Sequence, residues 1–171
     1  MCLYTICTYN KLVKMRIQVD EAFSTMDVYL KKRYDLIPNI VATVKGYAKH
    51  EKETLDAVIK ARNLAVAATD TNEKVQANNQ ISTALRGLFA IAESYPELKA
   101  NANFLSLQND LKSIENEIAN SRKYYNAVVR DYNVKCQSFP ANIIAKIFKF
   151  KTRELYEIDS PEERKNVKVE F

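Results

Sequence analysis

The sequence predicts an all-α protein, an antiparallel four-helix bundle with long helices and a C-terminal extension. Only two glycines, Gly46 and Gly87, occur in 171 residues. Because glycine is the main supplier of tight-turn geometry, this scarcity indicates few turns and long elements. Apolar residues also recur at spacings of three and four along most of the chain, as on one face of a helix. A chain of this length forms one domain with a sizeable core.

The first helix is predicted from about Thr8 to Tyr34. Its stripe consists of Leu12, Met15, Val19, Phe23, Met26, Leu30 and Tyr34. Asp35 can cap a new helix, and Pro38 then falls in the first turn, where a missing N–H costs little. We therefore expect a tight reversal at this point, with one kinked, continuous helix as the alternative.

The second helix is predicted from Leu36 to about Ala68. Its stripe consists of Ile37, Ile40, Val41, Val44, Tyr47, Ala48, Leu55, Val58 and Ile59. Gly46 lies inside this pattern at a cost of about 1 kcal/mol relative to Ala, which favours a role in close helix packing. The polar run from Thr69 to Asn72 predicts a loop.

The third helix is predicted from about Glu73 to Ser94, and Pro96 follows its end. Its stripe consists of Ile81, Leu85, Leu88, Phe89 and Ala92. The fourth, capped by Asn101 or Asn103, extends to about Lys135 with the stripe Phe104, Leu107, Leu111, Ile114, Ile118, Tyr125, Val129 and Tyr132. Four stripes with short connections predict a bundle over residues 10–137. The alternative is a rod of two or three helices that completes its core by dimerising.

The net charge of +5 comes from the two ends of the chain. Lys11, Lys14 and Arg16 have no acid among residues 1–16, and residues 138–153 carry four more bases and no acid. The tail, residues 154–171, has a net charge of −3, and the central region is nearly neutral. This distribution argues against a broad nucleic-acid footprint.

The chain lacks the residues that most catalytic sites and metal sites need. The one histidine, His50, cannot supply a di-metal bundle site or a zinc site, and its charged neighbours indicate an exposed position. The cysteines at positions 2, 7 and 136 have no metal spacing and are interpreted as reduced thiols, although acylation of Cys2 or Cys7 is conceivable. Isolated glycines exclude a phosphate-binding loop. We expect no enzyme, no cofactor and no metal.

Aromatic, basic and amide residues alternate near the end of the fourth helix. They are Arg122, Tyr124, Tyr125, Asn126, Arg130, Tyr132 and Asn133. Such a pattern can stack nucleic-acid bases. Tyr125 and Tyr132 belong to the apolar stripe, however, and acids at Asp110, Glu115, Glu117 and Asp131 weaken a phosphate-binding face. We expect core tyrosines and no nucleic-acid partner.

The segment from Ser138 onward is the best candidate site. The candidate contacts with a membrane or partner are Phe139, Ile143, Ile144, Lys146, Ile147, Phe148, Lys149, Phe150 and Lys151. Their mixture suits an anionic membrane surface, and the alternative is that the apolar residues plug the end of the bundle. Antiparallel helices would place this segment beside residues 2–16. In the charged tail, Val167, Val169 and Phe171 are candidates to dock on the bundle.

Several long motifs resemble the LemA family of bacterial membrane-associated proteins. They are YNKLVKMR (9–16), DVYLKKRYDLIPNIVATVKGYAKHEKETL (27–55), ALRGLFAIAESYPELKANANFLSLQ (84–108), YYNAVVRDYN (124–133) and SFPANIIAKIFKFK (138–151). The resemblance implies a helical bundle tethered by one N-terminal transmembrane helix, without an established molecular activity. One branch of the family works in magnetosome formation, and others are connected with envelope stress and proteolysis. Lys149 stands where the family commonly has Gly.

Residues 1–9 are interpreted as the remainder of a truncated anchor. Nine apolar residues reach about 14 Å, against about 30 Å of hydrocarbon, so the chain as given lacks a complete transmembrane helix. They also lack the features of a signal peptide. In the comparison with the LemA family, residues 1–9 resemble the last third of the family's transmembrane helix. The bases that follow would then place the bundle in the cytoplasm.

The leading hypothesis is a non-enzymatic, membrane-proximal scaffold that binds protein partners at the bacterial inner membrane. The alternative is a protein that binds anionic lipid directly or shapes the membrane. An enzyme with an unrecognised site is a third hypothesis, which a buried His50 beside a nucleophile would support.

Overall fold

The computed structural model describes residues 2–157, and this part of the chain is helical with no strand. The helices are α1 (Cys2–Tyr47), α2 (Lys52–Ala67), α3 (Thr71–Glu93), α4 (Pro96–Lys99), α5 (Ala102–Gln137) and α6 (Ala141–Ile147). Their packing is that of a helical bundle. The charged tail from residue 158 onward, including the docking predicted for Val167, Val169 and Phe171, lies outside the described residues.

The predicted reversal at Asp35 is wrong, because α1 continues through Pro38 to Tyr47. Proline has no N–H, so a helix that contains Pro38 leaves the carbonyl of Tyr34 without its usual donor. Arg62 of α2 supplies another donor: its Nε lies 3.4 Å from that carbonyl oxygen. The chain turns instead at residues 48–51, which include neither glycine nor proline.

The role predicted for Gly46 is also wrong. No heavy atom of a neighbouring residue would lie within 4 Å of a Cβ at this position, so Gly46 does not allow a close helix contact. It lies in the last turn of α1, immediately before Tyr47. Glycine is a poor helix former, which is consistent with a helix that ends there.

Long helices α1 and α5 lie side by side, and α2 and α3 pack against each other. Contacts between α1 and α5 pair Arg33 with Glu115 and Phe23 with Tyr125. Tyr47 of the second predicted stripe is exposed, but most of the other stripe residues form the core between the helices. Its fully covered residues include Leu12, Met26, Leu30, Ile37, Ile40, Val44, Val58, Ile81, Leu88, Leu98, Val129 and Tyr132.

Side-chain caps fix the starts of α3 and α5. Asp70 accepts a hydrogen bond from the N–H of Glu73, and Asn101 accepts one from the N–H of Phe104. Each cap satisfies an N–H that has no partner inside its helix. These caps set where the chain re-enters the bundle after each loop. The side-chain amide of Asn101 also donates to the hydroxyl of Tyr47 at 2.8 Å, which joins the start of α5 to the end of α1.

Candidate functional site

The short helix α6 lies against the start of α1. The residues of α6 that are buried are Ala141, Ile144 and Ala145. By contrast, the side chain of Phe139 is 81% exposed and that of Ile147 is 66% exposed. In α1, the side chain of Leu3 is 77% exposed. We call residues 3–16 and 138–153 the basic end, because they carry seven basic residues and no acid.

Aromatic contacts hold the two segments of the basic end together. The ring of Tyr9 lies 4.8 Å from that of Phe148 and 5.6 Å from that of Phe150, measured between centroids. The guanidinium carbon of Arg16 lies 5.4 Å from the centre of the Phe150 ring. The exposed apolar side chains of α6 are therefore fixed beside the first turns of α1.

Helix α6 ends in a Schellman motif. The N–H of Phe150 donates to the carbonyl of Ala145 at 2.8 Å, and the N–H of Lys149 donates to that of Lys146 at 3.3 Å. This motif places a residue in the left-handed region, and Lys149 has φ 57°. The position favours glycine, since a side chain there costs about 1–2 kcal/mol. The turn directs Phe150 toward Tyr9.

Beyond the turn, residues 150–157 form an arm that lies along α5. The side-chain amide of Asn126 bonds both main-chain groups of Tyr156, and that of Asn133 bonds both main-chain groups of Arg153. The hydroxyl of Tyr125 donates to the carbonyl of Glu154 at 3.0 Å. The alternating tyrosines and asparagines of α5 therefore bind the protein's own main chain.

The arm ends on the buried side chain of Tyr156. The amide nitrogen of Asn78 donates to the hydroxyls of Tyr34 and Tyr156 at 2.8 and 3.1 Å. Burial raises the pKa of Tyr34 and that of Tyr156, because a phenolate would be poorly solvated there. Burial likewise raises the pKa of Tyr132 to about 12. These tyrosines stay neutral at ordinary pH and act as structural donors and acceptors.

The described residues show no arrangement typical of a catalytic centre. His50 is exposed in the turn after α1. Within residues 2–157, no group of three or more His, Cys, Asp or Glu side chains is placed to hold a metal ion. No helix in the same part of the chain combines the length and the apolar character needed to cross a membrane.

Comparison with known proteins decides the family. A model described as the LemA family matches residues 22–171. The chain belongs to the LemA family. A protein named LemA from Metamycoplasma hominis is 26% identical over 164 residues, which cover 91% of this chain and 75% of that protein. None of the names that these relatives carry describes an enzymatic activity.

Other relatives of this LemA-family chain carry a different name. Magnetosome protein MamQ 2 from Paramagnetospirillum magneticum is 23% identical over 87% of the chain. Magnetosome protein MamQ from Magnetospirillum gryphiswaldense is 24% identical over 86% of it. The chain spans 64% of the length of each of these two proteins.

The structure divides the candidate residues of this LemA-family chain into two groups. Ile144 is buried and Phe150 is half-buried, so these two side chains belong to the packed interior. The exposed group consists of Phe139, Ile143, Lys146, Ile147, Phe148, Lys149 and Lys151. Sequence reasoning missed Tyr9 as the residue that joins α1 to this segment. It also missed the arm, although the Tyr-Asn pairs repeat at a spacing of seven.

Proposed function

We propose that this LemA-family protein is a non-enzymatic scaffold that works beside the bacterial inner membrane and binds protein partners there. The basic end carries the proposal: exposed Leu3, Phe139, Ile143 and Ile147 belong to two segments that hold seven basic residues and no acid, and of these bases Arg153 pairs with Asp20 of α1. Apolar side chains mixed with lysines suit the surface of an anionic membrane. The resemblance to the LemA family, with its N-terminal membrane tether, supports the same location.

We also infer an antiparallel four-helix order for α1, α2, α3 and α5. Arg62 of α2 reaches back to Tyr34, and Tyr9 at the start of α1 meets Phe148 just beyond α5. This order places the basic end at one end of the bundle and residues 47–51 at the other. The basic end then faces the bilayer, and the bases after residue 9 favour the cytoplasmic side.

Direct binding to anionic lipid is the second candidate, because the same apolar and basic side chains would contact lipid headgroups. A test of either candidate function requires substitutions at exposed residues, which can be changed without unfolding the bundle. The triple substitution Phe139→Ser, Ile143→Ser and Ile147→Ser meets this need. A matched control replaces three exposed residues elsewhere: Leu64→Ser, Val66→Ser and Leu105→Ser.

Co-sedimentation with membranes separates the two candidates. The scaffold proposal predicts that the chain binds inner-membrane vesicles, that protease treatment of the vesicles abolishes binding, and that the triple variant binds poorly. The control variant should bind normally. Binding to protein-free anionic liposomes, lost at high salt, would favour the lipid candidate. Failure to bind vesicles or liposomes would contradict both.

A further inference from the structure

We propose that two copies of this chain associate by exchanging their arms, so that residues 150–157 of one copy lie along α5 of the other. An exchanged arm makes the contacts that it makes within one chain, because the two copies have the same sequence. Exchange requires a surface that holds the arm, a hinge before the arm and a gain when the hinge opens. The proposal is independent of the scaffold function and concerns how two copies join.

The surface of α5 that receives the arm, which we call the arm groove, binds the arm through its main chain. The side chains of Asn126 and Asn133 each form two hydrogen bonds with main-chain groups of the arm, at 2.8–3.0 Å. The hydroxyls of Tyr125 and Tyr132 donate to two further carbonyls of the arm, each at 3.0 Å. None of these bonds involves α6, the element that joins the arm to its own bundle. An arm from either copy therefore fits the groove.

Two side chains of the arm make the groove selective for this sequence. Tyr156 is 2% exposed, and its hydroxyl accepts a hydrogen bond from the amide nitrogen of Asn78 in α3. Arg153 pairs with Asp20 of α1 at 3.1 Å. An extended segment without an arginine and a tyrosine three residues apart would lose both contacts. The second copy carries the matching segment, which favours it over an unrelated partner.

A hinge under strain lies directly before the arm. Helix α6 ends at Ile147, and Lys149 adopts φ 57°, a left-handed conformation that is unfavourable for a residue with a Cβ. When the arm leaves its own groove, Lys149 is free to adopt an ordinary extended conformation. Strained hinges of this kind favour domain swapping. Relief at two hinges offsets part of the translational freedom that two copies lose when they associate.

Continuity of the chain fixes where the two copies meet. The arm begins directly after α6, so an exchanged arm places the α6 of one copy beside the start of the other copy's groove. The two basic ends then lie next to each other, and each carries an excess of positive charge. Their like charges repel, and dissolved salt screens this repulsion. Association through exchanged arms should therefore strengthen as the salt concentration rises.

Two complementary variants of the full chain test the exchange directly. The groove variant, Asn126→Ala with Asn133→Ala, keeps its arm but loses the amides that hold it. The arm variant, Arg153→Pro with Tyr156→Pro, keeps both asparagines but loses the two N–H groups from which they accept. Neither variant forms these bonds within one chain. When the two are mixed, the intact arm of the groove variant meets the intact groove of the arm variant.

Hydrogen exchange at the Tyr156 N–H of the isotopically labelled groove variant shows where its arm lies. We expect this N–H to exchange fast when the groove variant is alone. An excess of the unlabelled arm variant should slow its exchange about tenfold or more, because the N–H then donates to an intact Asn126. An excess of the unlabelled groove variant is the control and should leave the exchange rate unchanged. The proposal fails if the arm variant gives no protection or if the control protects equally.

The hinge is tested in chains whose arm and groove are intact. Sedimentation equilibrium gives the dissociation constant of the dimer for the unmodified chain, for Lys149→Ala and for Lys149→Gly. Glycine adopts φ 57° without steric cost, so Lys149→Gly should weaken the dimer about tenfold or more relative to Lys149→Ala, which has the same charge and keeps a Cβ. A strictly monomeric unmodified chain, equal constants for the two variants, or a dimer that dissociates as salt is added would overturn the proposal.

Discussion

The side chain of Asn126 binds the main chain of Tyr156 through two hydrogen bonds. Its Nδ2 donates to the Tyr156 carbonyl at 3.0 Å, and its Oδ1 accepts from the Tyr156 N–H at 2.8 Å. Asn133 bonds Arg153 in the same way at 2.8 Å in both directions. The two asparagines are seven residues apart in α5, and their partners are three residues apart in the arm. Seven residues of a helix and three residues of an extended chain each span about 10 Å, so the spacing of the asparagines matches the spacing of their main-chain partners.

Replacing Asn126 tests the attachment of the arm. Asn126→Ala removes both hydrogen bonds to Tyr156, and we expect a loss of about 1–3 kcal/mol in the free energy of unfolding. Amide exchange at Tyr156 should accelerate more than exchange in the centre of α1. The control is Asn120→Ala, which changes an exposed asparagine of the same helix. Unchanged exchange at Tyr156 would show that these bonds do not hold the arm.

The contact between Arg62 and the Tyr34 carbonyl predicts an energetic coupling with Pro38. Arg62→Met keeps the aliphatic part of the side chain but removes the hydrogen-bond donor. We expect it to lower the free energy of unfolding by about 0.5–1.5 kcal/mol. In a Pro38→Ala background, residue 38 regains an N–H for that carbonyl. The cost of Arg62→Met should then fall toward zero. Urea unfolding of the four variants measures the coupling, and equal costs in both backgrounds would contradict it.

The left-handed conformation of Lys149 predicts a stabilising substitution. Lys149→Gly should raise the free energy of unfolding by about 1 kcal/mol, because glycine adopts φ 57° without steric cost. Lys149→Ala removes the same charge but keeps a Cβ, so it should give no comparable gain. Thermal unfolding of both variants separates relief of the backbone from loss of charge. Equal changes in the two variants would assign the effect to charge.

The buried Tyr132 predicts instability at alkaline pH. Burial raises its pKa to about 12, whereas an unfolded tyrosine ionises near 10. The neutral form therefore stabilises the fold fully below about pH 10, and this contribution is lost as the pH rises from about 10 to about 12.

Tyr132→Phe tests this account of the pH dependence. The variant should lose about 1 kcal/mol at pH 7, because the hydroxyl donates to the carbonyl of Lys151 at 3.0 Å. Its stability should also fall less steeply above pH 10 than that of the unmodified chain. Tyr124→Phe, at an exposed position, is the control. An identical pH profile for Tyr132→Phe would contradict the assignment.

Periodicity predicted the core well, because apolar spacing directly reflects which face of a helix is buried. Leu12, Leu30, Ile81 and Val129 were all expected in the core, and all are buried. The helix boundary at Pro38 could not be predicted in the same way. Its outcome depends on Arg62, a residue 24 positions later whose role arises only after α2 packs against α1.

The candidate site was predicted only in outline. The composition of residues 138–153 drew attention to this segment, but local pattern could not separate buried Ile144 from exposed Ile143. The arm was missed because asparagine side chains hold it through its main-chain groups. Every residue type has these groups, so the amino-acid sequence of the arm does not indicate where it binds.

The orientation of the bundle at the membrane tests the central proposal most directly. With Cys2 and Cys7 replaced by Ser and the buried Cys136 replaced by Ala, a fluorophore is attached to a single introduced cysteine, Ile143→Cys or His50→Cys. Each labelled protein is bound to inner-membrane vesicles that carry a quencher in the lipid headgroups. The account predicts strong quenching at position 143 and little at position 50, which lies at the other end of the bundle. Equal quenching, or stronger quenching at position 50, would contradict a basic end that faces the bilayer.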